Sequence, residues 1–246
     1  MTRYKEPMNA LITGSSRGIG RAIAIRLAKH GGKIVINYFM NEEAAQETAE
    51  AVKEAGGHPV IVQANVRDPK DCKRLAATLD SYDVLVHNAA MGVLKPAEKI
   101  RTNQWDLTLE SSARPFWLLS MDCLDRLNPG SSIIGISSLG SVGHVPGYAA
   151  VGASKAVMEA LTRQLAVELA PRKIRVNTVR GGLVDTDALN YFQDKEQMLA
   201  VAKKITPFKR VGTADDIAGA VEILIDPRAA WITGQILVAD GGLSLV

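Results

Sequence analysis

Two cysteines in 246 residues, Cys72 and Cys123, stand far apart and without CxxC or metal-ligand spacing. That excludes a disulfide framework and a thiolate metal site and leaves both as packed, structural thiols. The four histidines, His30, His58, His87 and His144, are equally scattered and form no HxxH or HExxH pattern, so no metal site is expected. No apolar run approaches ~18 residues, which excludes a bilayer-spanning segment. The first residues, Met1-Thr-Arg-Tyr-Lys-Glu-Pro7, lack the apolar stretch of a signal peptide, and a cytoplasmic location is expected. The formal charge of +3 comes from scattered Lys and Arg with no basic run and no interleaved aromatics. A nucleic-acid partner is therefore not expected. Repeats, low-complexity segments and Pro/Gly-rich linkers are missing as well, so residues 1–246 read as one domain.

What is present is an alternation. Short apolar runs at 9–13, 34–38, 59–64, 84–88, 132–137, 175–179 and 235–238 are separated by segments with apolar residues at helical spacing, 19–29, 42–55, 69–79, 104–127, 149–169 and 214–225. This pattern predicts an α/β single-domain Rossmann fold, a seven-stranded doubly wound parallel sheet with helices on both faces. Asn41 before Glu42-Glu43 reads as a helix cap, and Gly56-Gly57 as its stop. The stretch 181–211 is the one long connection, placed where such folds cover a substrate.

The first strand runs into Thr13-Gly14-Ser15-Ser16-Arg17-Gly18-Ile19-Gly20. Glycines at these positions allow a tight turn, close approach of backbone N–H groups to a pyrophosphate, and tight helix–sheet packing. Gly14, Ser16, Arg17, Gly18, Ile19 and Gly20 are thus candidate dinucleotide-binding residues. The second strand ends in Asn37-Tyr38, two further candidate cofactor-binding residues, with no acid before Glu42. An absent carboxylate removes a repulsion against a 2′-phosphate and Arg17 supplies an attraction, which favours NADPH over NADH. Asn65 and Val66 after the third strand are placed to flank the adenine, and Asn88, Ala89 and Ala90 after the fourth to line the cleft.

Together with Ile136-Ser137-Ser138, the helix that carries Lys155, Arg175-Val176-Asn177 and Asp240-Gly241-Gly242, these residues resemble the short-chain dehydrogenase/reductase family almost end to end. Three positions depart from its ordinary carbonyl reductases. Those enzymes carry Tyr four residues before Lys, where this chain has Val151; Ser112 stands where the family commonly has Asn; and Gly181-Gly182 replaces Pro-Gly. Tyr148 lies seven residues before Lys155. That spacing, with the runs 87–94, 137–141 and 181–189, is similar to NADPH-dependent enoyl-acyl-carrier-protein reductases of the enoyl reductase III type, although Met40 stands where that type has a basic residue.

The spacing suits the chemistry of that type. Hydride added to the β-carbon of a trans-2-enoyl thioester leaves negative charge on the thioester oxygen, so the acid must stand back from the nicotinamide. Three residues along a helix is a shift of ~4.5 Å on roughly one face. The expected activity is therefore reduction of the C=C bond of enoyl thioesters in fatty-acid biosynthesis, on acyl carrier protein or coenzyme A. Tyr148 would stabilise the enolate, Lys155 would bind the cofactor ribose and lower the Tyr148 pKa, and Ser138 would orient the thioester or line the pocket. The α-carbon proton comes from Tyr148 or water. Gly182, Val184 and Thr186 are expected at the nicotinamide. Leu183, Leu189, Tyr191, Phe192, Met198 and Leu199 are expected to cover the acyl chain. The C-terminal run is apolar to Val246, and by resemblance a homotetramer is expected. Two other readings remain: a 3-oxoacyl thioester or other carbonyl reductase, in which Tyr148 swings in from the loop, a reading that Ser138 supports and Val151 opposes, and a non-catalytic nucleotide-binding regulator.

Overall fold

β-Branched and aliphatic runs form the strands, and every strand pairs in parallel. The computed structural model describes residues 7–187, 189 and 195–246. Its seven strands are β1 (Ala10–Ile12), β2 (Lys33–Tyr38), β3 (His58–Gln63), β4 (Tyr82–His87), β5 (Leu127–Ser138), β6 (Arg175–Gly181) and β7 (Ile236–Ala239), in the sheet order β3-β2-β1-β4-β5-β6-β7. The order reverses between β1 and β4, and such a switch point opens a crevice at the carboxyl ends of the strands. Pro59, which cannot donate to a ladder, sits on edge strand β3.

Helices α1 (Gly18–Ala28), α2 (Glu42–Glu54) and α7 (Ala214–Ile225) cover one face of the sheet, burying Ile23, Leu27, Val52, Ile217, Val221 and Leu224 against Ile34, Ile36, Val84 and Val179. Helices α3 (Pro69–Ala76), α4 (Thr102–Asp122) and α5 (Ala149–Glu168) cover the other, burying Leu75, Phe116, Leu119, Met158 and Leu165 against Leu11, Val35, Leu85 and Ile133. Cys72 and Cys123 are both buried on this second face. Among the described residues no helix is long and apolar enough to cross a membrane.

The expected cap is formed: the Asn41 side chain accepts from Ala44 N at 3.0 Å. Two helix ends fall short of the apolar pattern. α3 stops at Ala76 rather than 79 because the Tyr82 hydroxyl takes over, accepting from Leu79 N (3.1 Å) and donating to Leu75 O (3.2 Å). α4 stops at Asp122 rather than 127, since Arg172 donates to Leu124 O (2.8 Å) and frees the chain to enter β5 five residues early, at Leu127. The long connection at 181–211 contains a helix, α6 (Lys195–Ile205).

Candidate active site

The glycine turn is held by side chains that are spent on its backbone. Gly14 has φ +61°, and a Cβ there would lie 2.9 Å from the Ala89 Cα. A Cβ at Gly20 would overlap the Gly14 carbonyl and lie 2.5 Å from Asn88 Nδ2. The cradle thus has room for an approaching ligand only while these positions lack side chains. Thr13 Oγ1 accepts from Asn88 N and Ala89 N, both at 3.0 Å. Asn88 Nδ2 donates to Thr13 O (3.0 Å) and Gly14 O (2.9 Å). Asn37, 2% exposed, accepts from Gly14 N at 3.0 Å and donates to Ala64 O at 3.0 Å. Its amide therefore builds the turn and reaches the ends of β1, β2 and β3 at once.

Ser16, Gly18 and Ile19 are half-buried and Arg17 is exposed at the turn, where its carbonyl accepts from Arg21 N at 3.2 Å and its side chain forms no hydrogen bond or ion pair with a described residue. Thr48 donates to Ser16 O at 2.9 Å, anchoring the turn to α2. Tyr38 is buried, with its phenol pKa raised by burial and then by Glu42. Met40 and Phe39 beyond it are exposed. Asn65 Oδ1 accepts from Arg67 N at 3.1 Å, Val66 is buried, and Ala90 is exposed at the cleft rim. From the far side, the Thr186 side chain approaches Gly18, a Cβ there lying 3.8 Å from it. Gly182 packs on Asp240 and donates to Ala239 O at 3.1 Å, and Val184 is buried in a bridge with Gly212. Candidate residues from both ends of the chain therefore meet at one glycine turn. Leu189 is buried, while Leu183, Met198 and Leu199 are half-buried; Tyr191 and Phe192 lie outside the described residues.

At the carboxyl end of β5, Ser138 Oγ and Tyr148 Oη are 3.2 Å apart. Tyr148 is the N-cap residue of α5, and its ring lies on Gly140, where any side chain would overlap it. The expected setback therefore does not reach the hydroxyl: the cap residue's ring extends back across Gly140 to Ser138. Val151 points elsewhere, its Cγ2 filling the space that a Cβ on Gly92 would need. Burial raises the Tyr148 pKa and the Ser138 hydrogen bond offsets this in part. The expected lowering by Lys155 is thus not found.

Lys155 is 6% exposed and donates to Ile136 O at 2.8 Å; burial brings its pKa down to about 8. Ser112, in the position of the family's Asn, pairs with the buried Ser154 hydroxyl.

Sequence reading missed Glu159. It is 4% exposed, and its Oε1 accepts from Ser137 Oγ (2.7 Å), Ser141 Oγ (2.6 Å) and Arg180 Nε (2.9 Å), while Oε2 accepts from Arg180 Nη2 at 2.5 Å. Burial pushes its carboxyl up, but Arg180, Ser141 and Ser137 outweigh it and hold the pKa below the ordinary value. An acid four residues after Lys155, on the same helix face, was the available signal.

A family model described as enoyl-(acyl carrier protein) reductase matches residues 14–244. The chain is 40% identical to 1-cyclohexenylcarbonyl-CoA reductase of Streptomyces collinus over 244 residues, 96% of this chain and 87% of that one. It is 34% identical to the 3-oxoacyl-[acyl-carrier-protein] reductase FabG of Staphylococcus aureus strain Mu50 over 252 residues, 97% and 99% of the two chains. The solved angucycline C-6 ketoreductase LanV with bound NADP superposes with a TM-score of 0.90 at 29% identity, covering 97% of this chain and 96% of that one. The 3-oxoacyl reductase and the ketoreductase overturn the expectation of enoyl thioester reduction in fatty-acid biosynthesis and favour carbonyl chemistry. The physical reason is the Ser138–Tyr148 contact: a long side chain cancels the backbone setback from which that expectation was drawn.

Proposed function

Because the chain belongs to the short-chain dehydrogenase/reductase family and is an oxidoreductase that binds a nicotinamide cofactor, we propose that it reduces the 3-oxo group of an acyl thioester with NADPH. The observation that carries this reading is the 3.2 Å approach of Ser138 Oγ and Tyr148 Oη, two hydroxyls converging at the carboxyl end of β5, with the buried Lys155 further along α5. A single carbonyl oxygen lying between them would accept from both. When bound, NADPH supplies the hydride.

In this reading Ser138 orients the carbonyl and Tyr148 donates the proton that neutralises the developing alkoxide, an interaction that strengthens in the transition state. The raised Tyr148 pKa keeps the phenol protonated at neutral pH, as a donor in the reductive direction requires. Lys155 holds the cofactor ribose, exchanging the Ile136 carbonyl for ribose hydroxyls.

Gly14, Ser16, Gly18, Ile19 and Gly20 cradle the pyrophosphate at the N-terminus of α1, where backbone N–H groups and the helix dipole favour negative charge. The preference for NADPH is supported by the exposed Arg17 side chain, which has no partner among the described residues, by the lack of an acid at the end of β2, and by the NADP bound to LanV. Tyr38, Asn65 and Val66 border the adenosine, Asn88, Ala89 and Ala90 the cleft floor, and Gly182, Val184 and Thr186 the nicotinamide. Asn37 acts through the turn it builds. Leu183, Leu189, Met198 and Leu199 cover the acyl group.

A thioester carrier is supported by the names of the two curated relatives, one acting on a coenzyme A ester and one on an acyl carrier protein. Assembly as a homotetramer is supported by exposed apolar side chains, Trp231 (99%), Leu245 (87%) and Val246 (78%). The test is product identification: purified protein with NADPH and acetoacetyl thioester should form the 3-hydroxyacyl thioester. If no hydroxyacyl product forms, the reading fails.

A further inference from the structure

Glu159 is a buried carboxylate for which the proposed chemistry has no use. It lies one turn beyond Lys155 on α5, and it contacts three separate pieces of the site wall. Ser137 immediately precedes Ser138 on β5; Arg180 is the direct partner of Ser137 across the β5–β6 ladder; and Ser141 lies in the turn that also contains Gly140, the surface under the Tyr148 ring. Ser141 is in addition within 2.8 Å of the Ser138 carbonyl, so its one hydroxyl proton is shared between that carbonyl and the Glu159 carboxylate. Four charge-assisted bonds from three elements thus converge on one side chain, and each such bond is stronger than a neutral one.

A salt bridge midway along the sheet would tie α5 to β6 away from Ser138 and Tyr148. This one is built at the strand ends, around the two groups whose separation sets the reaction. We propose that Glu159, paired with Arg180, is a positioning residue for the reduction: its carboxylate locks the ends of β5 and β6 to the 139–141 turn and so fixes Ser138 against Tyr148. The inference rests on the reading of Ser138 and Tyr148 as the carbonyl-binding pair.

The decisive variants are Ser141→Ala and Glu159→Gln, assayed with NADPH and acetoacetyl thioester beside Tyr148→Phe. Ser141→Ala cuts the link between Glu159 and the turn while leaving the carboxylate paired with Arg180 and Ser137, so it buries no unpaired charge. Both are expected to lower kcat, by about tenfold for Glu159→Gln and less for Ser141→Ala, with KM for thioester and NADPH affinity held within about twofold. The neutral pair Glu159→Gln/Arg180→Gln should recover part of the loss, because Gln keeps an acceptor for both serines. Unchanged kcat in Ser141→Ala and in the neutral pair, or a loss confined to NADPH affinity, overturns the positioning role whether or not Glu159→Gln alone folds. Those outcomes leave the proposed reaction standing provided Tyr148→Phe is inactive. Full activity in Tyr148→Phe removes Tyr148 as the proton donor, and with it the premise of the inference, whereas no hydroxyacyl product from the native protein removes the reaction itself.

Discussion

At the glycine turn the polar side chains are consumed: Thr13, Asn37 and Asn88 direct their hydrogen bonds into the backbone, and the ligand is left to meet main-chain N–H groups and the open cradle over Gly14 and Gly20. At the end of β5 the arrangement is the reverse. Among the described residues the hydroxyls of Ser138 and Tyr148 have only each other, 3.2 Å apart, and retain donors and acceptors for a third partner, while the bonding that holds them falls to Glu159, Arg180 and Ser141 behind them. One end of the cleft presents a finished scaffold; the other presents groups left poised on a scaffold. Loss of a side chain should therefore act on stability and cofactor affinity at the first end and on turnover at the second.

The largest expected effect separates the two ends cleanly. Tyr148→Phe keeps the ring on Gly140 and removes only the hydroxyl; kcat should fall by about 10²–10⁴-fold, the usual range for a lost general acid, with NADPH affinity retained in a fluorescence titration. Asn37→Leu should do the opposite. It leaves Gly14 N and Ala64 O without their partner, at a cost of about 1–3 kcal/mol for each buried group, read as a lowered denaturant midpoint together with weaker NADPH binding.

Smaller effects come from pH, measured on the protein without cofactor. Lys155 has its pKa brought down to about 8 from 10.5, so between these values the unfolded chain holds a proton that the folded one has released. Stability should rise with pH across that window, by at most about 1.4 kcal/mol per unit, and Lys155→Met should abolish the rise. His87, at the end of β4 between the two ends, has its pKa brought down to about 3 by burial, with Nε2 3.0 Å from Ser120 Oγ. Here the unfolded chain takes up the proton first, and stability should fall as pH drops below about 6.5. Denaturant titrations at pH 6.5 and 5.5 should lose part of that difference in His87→Leu.

The sheet was legible because parallel, doubly covered strands are apolar on both faces, and seven such runs with helical periods between them leave few other architectures. The glycine turn was legible because only residues without Cβ fit it. What eluded the sequence was side-chain reach. The step from Tyr148 to Lys155 was converted into a backbone displacement along a helix, yet Tyr148 is the cap of α5 and its ring spans the displacement, which changed the expected reaction. Asn37 reads as a cofactor contact in the sequence because position along a strand does not reveal which groups its amide meets. Glu159 went unread for a similar reason: an acid four residues after Lys155 shows in the sequence, but its three partners come from β5, β6 and a turn, and only tertiary structure brings them together.

The central claim is that carbonyl chemistry survives without Tyr at position 151 because Tyr148 returns to Ser138. It is tested most directly by following NADPH oxidation with acetoacetyl thioester and crotonyl thioester in parallel, for the native protein and Tyr148→Phe. The account predicts turnover of the acetoacetyl thioester alone and its loss in the variant; turnover of the crotonyl thioester alone would contradict it.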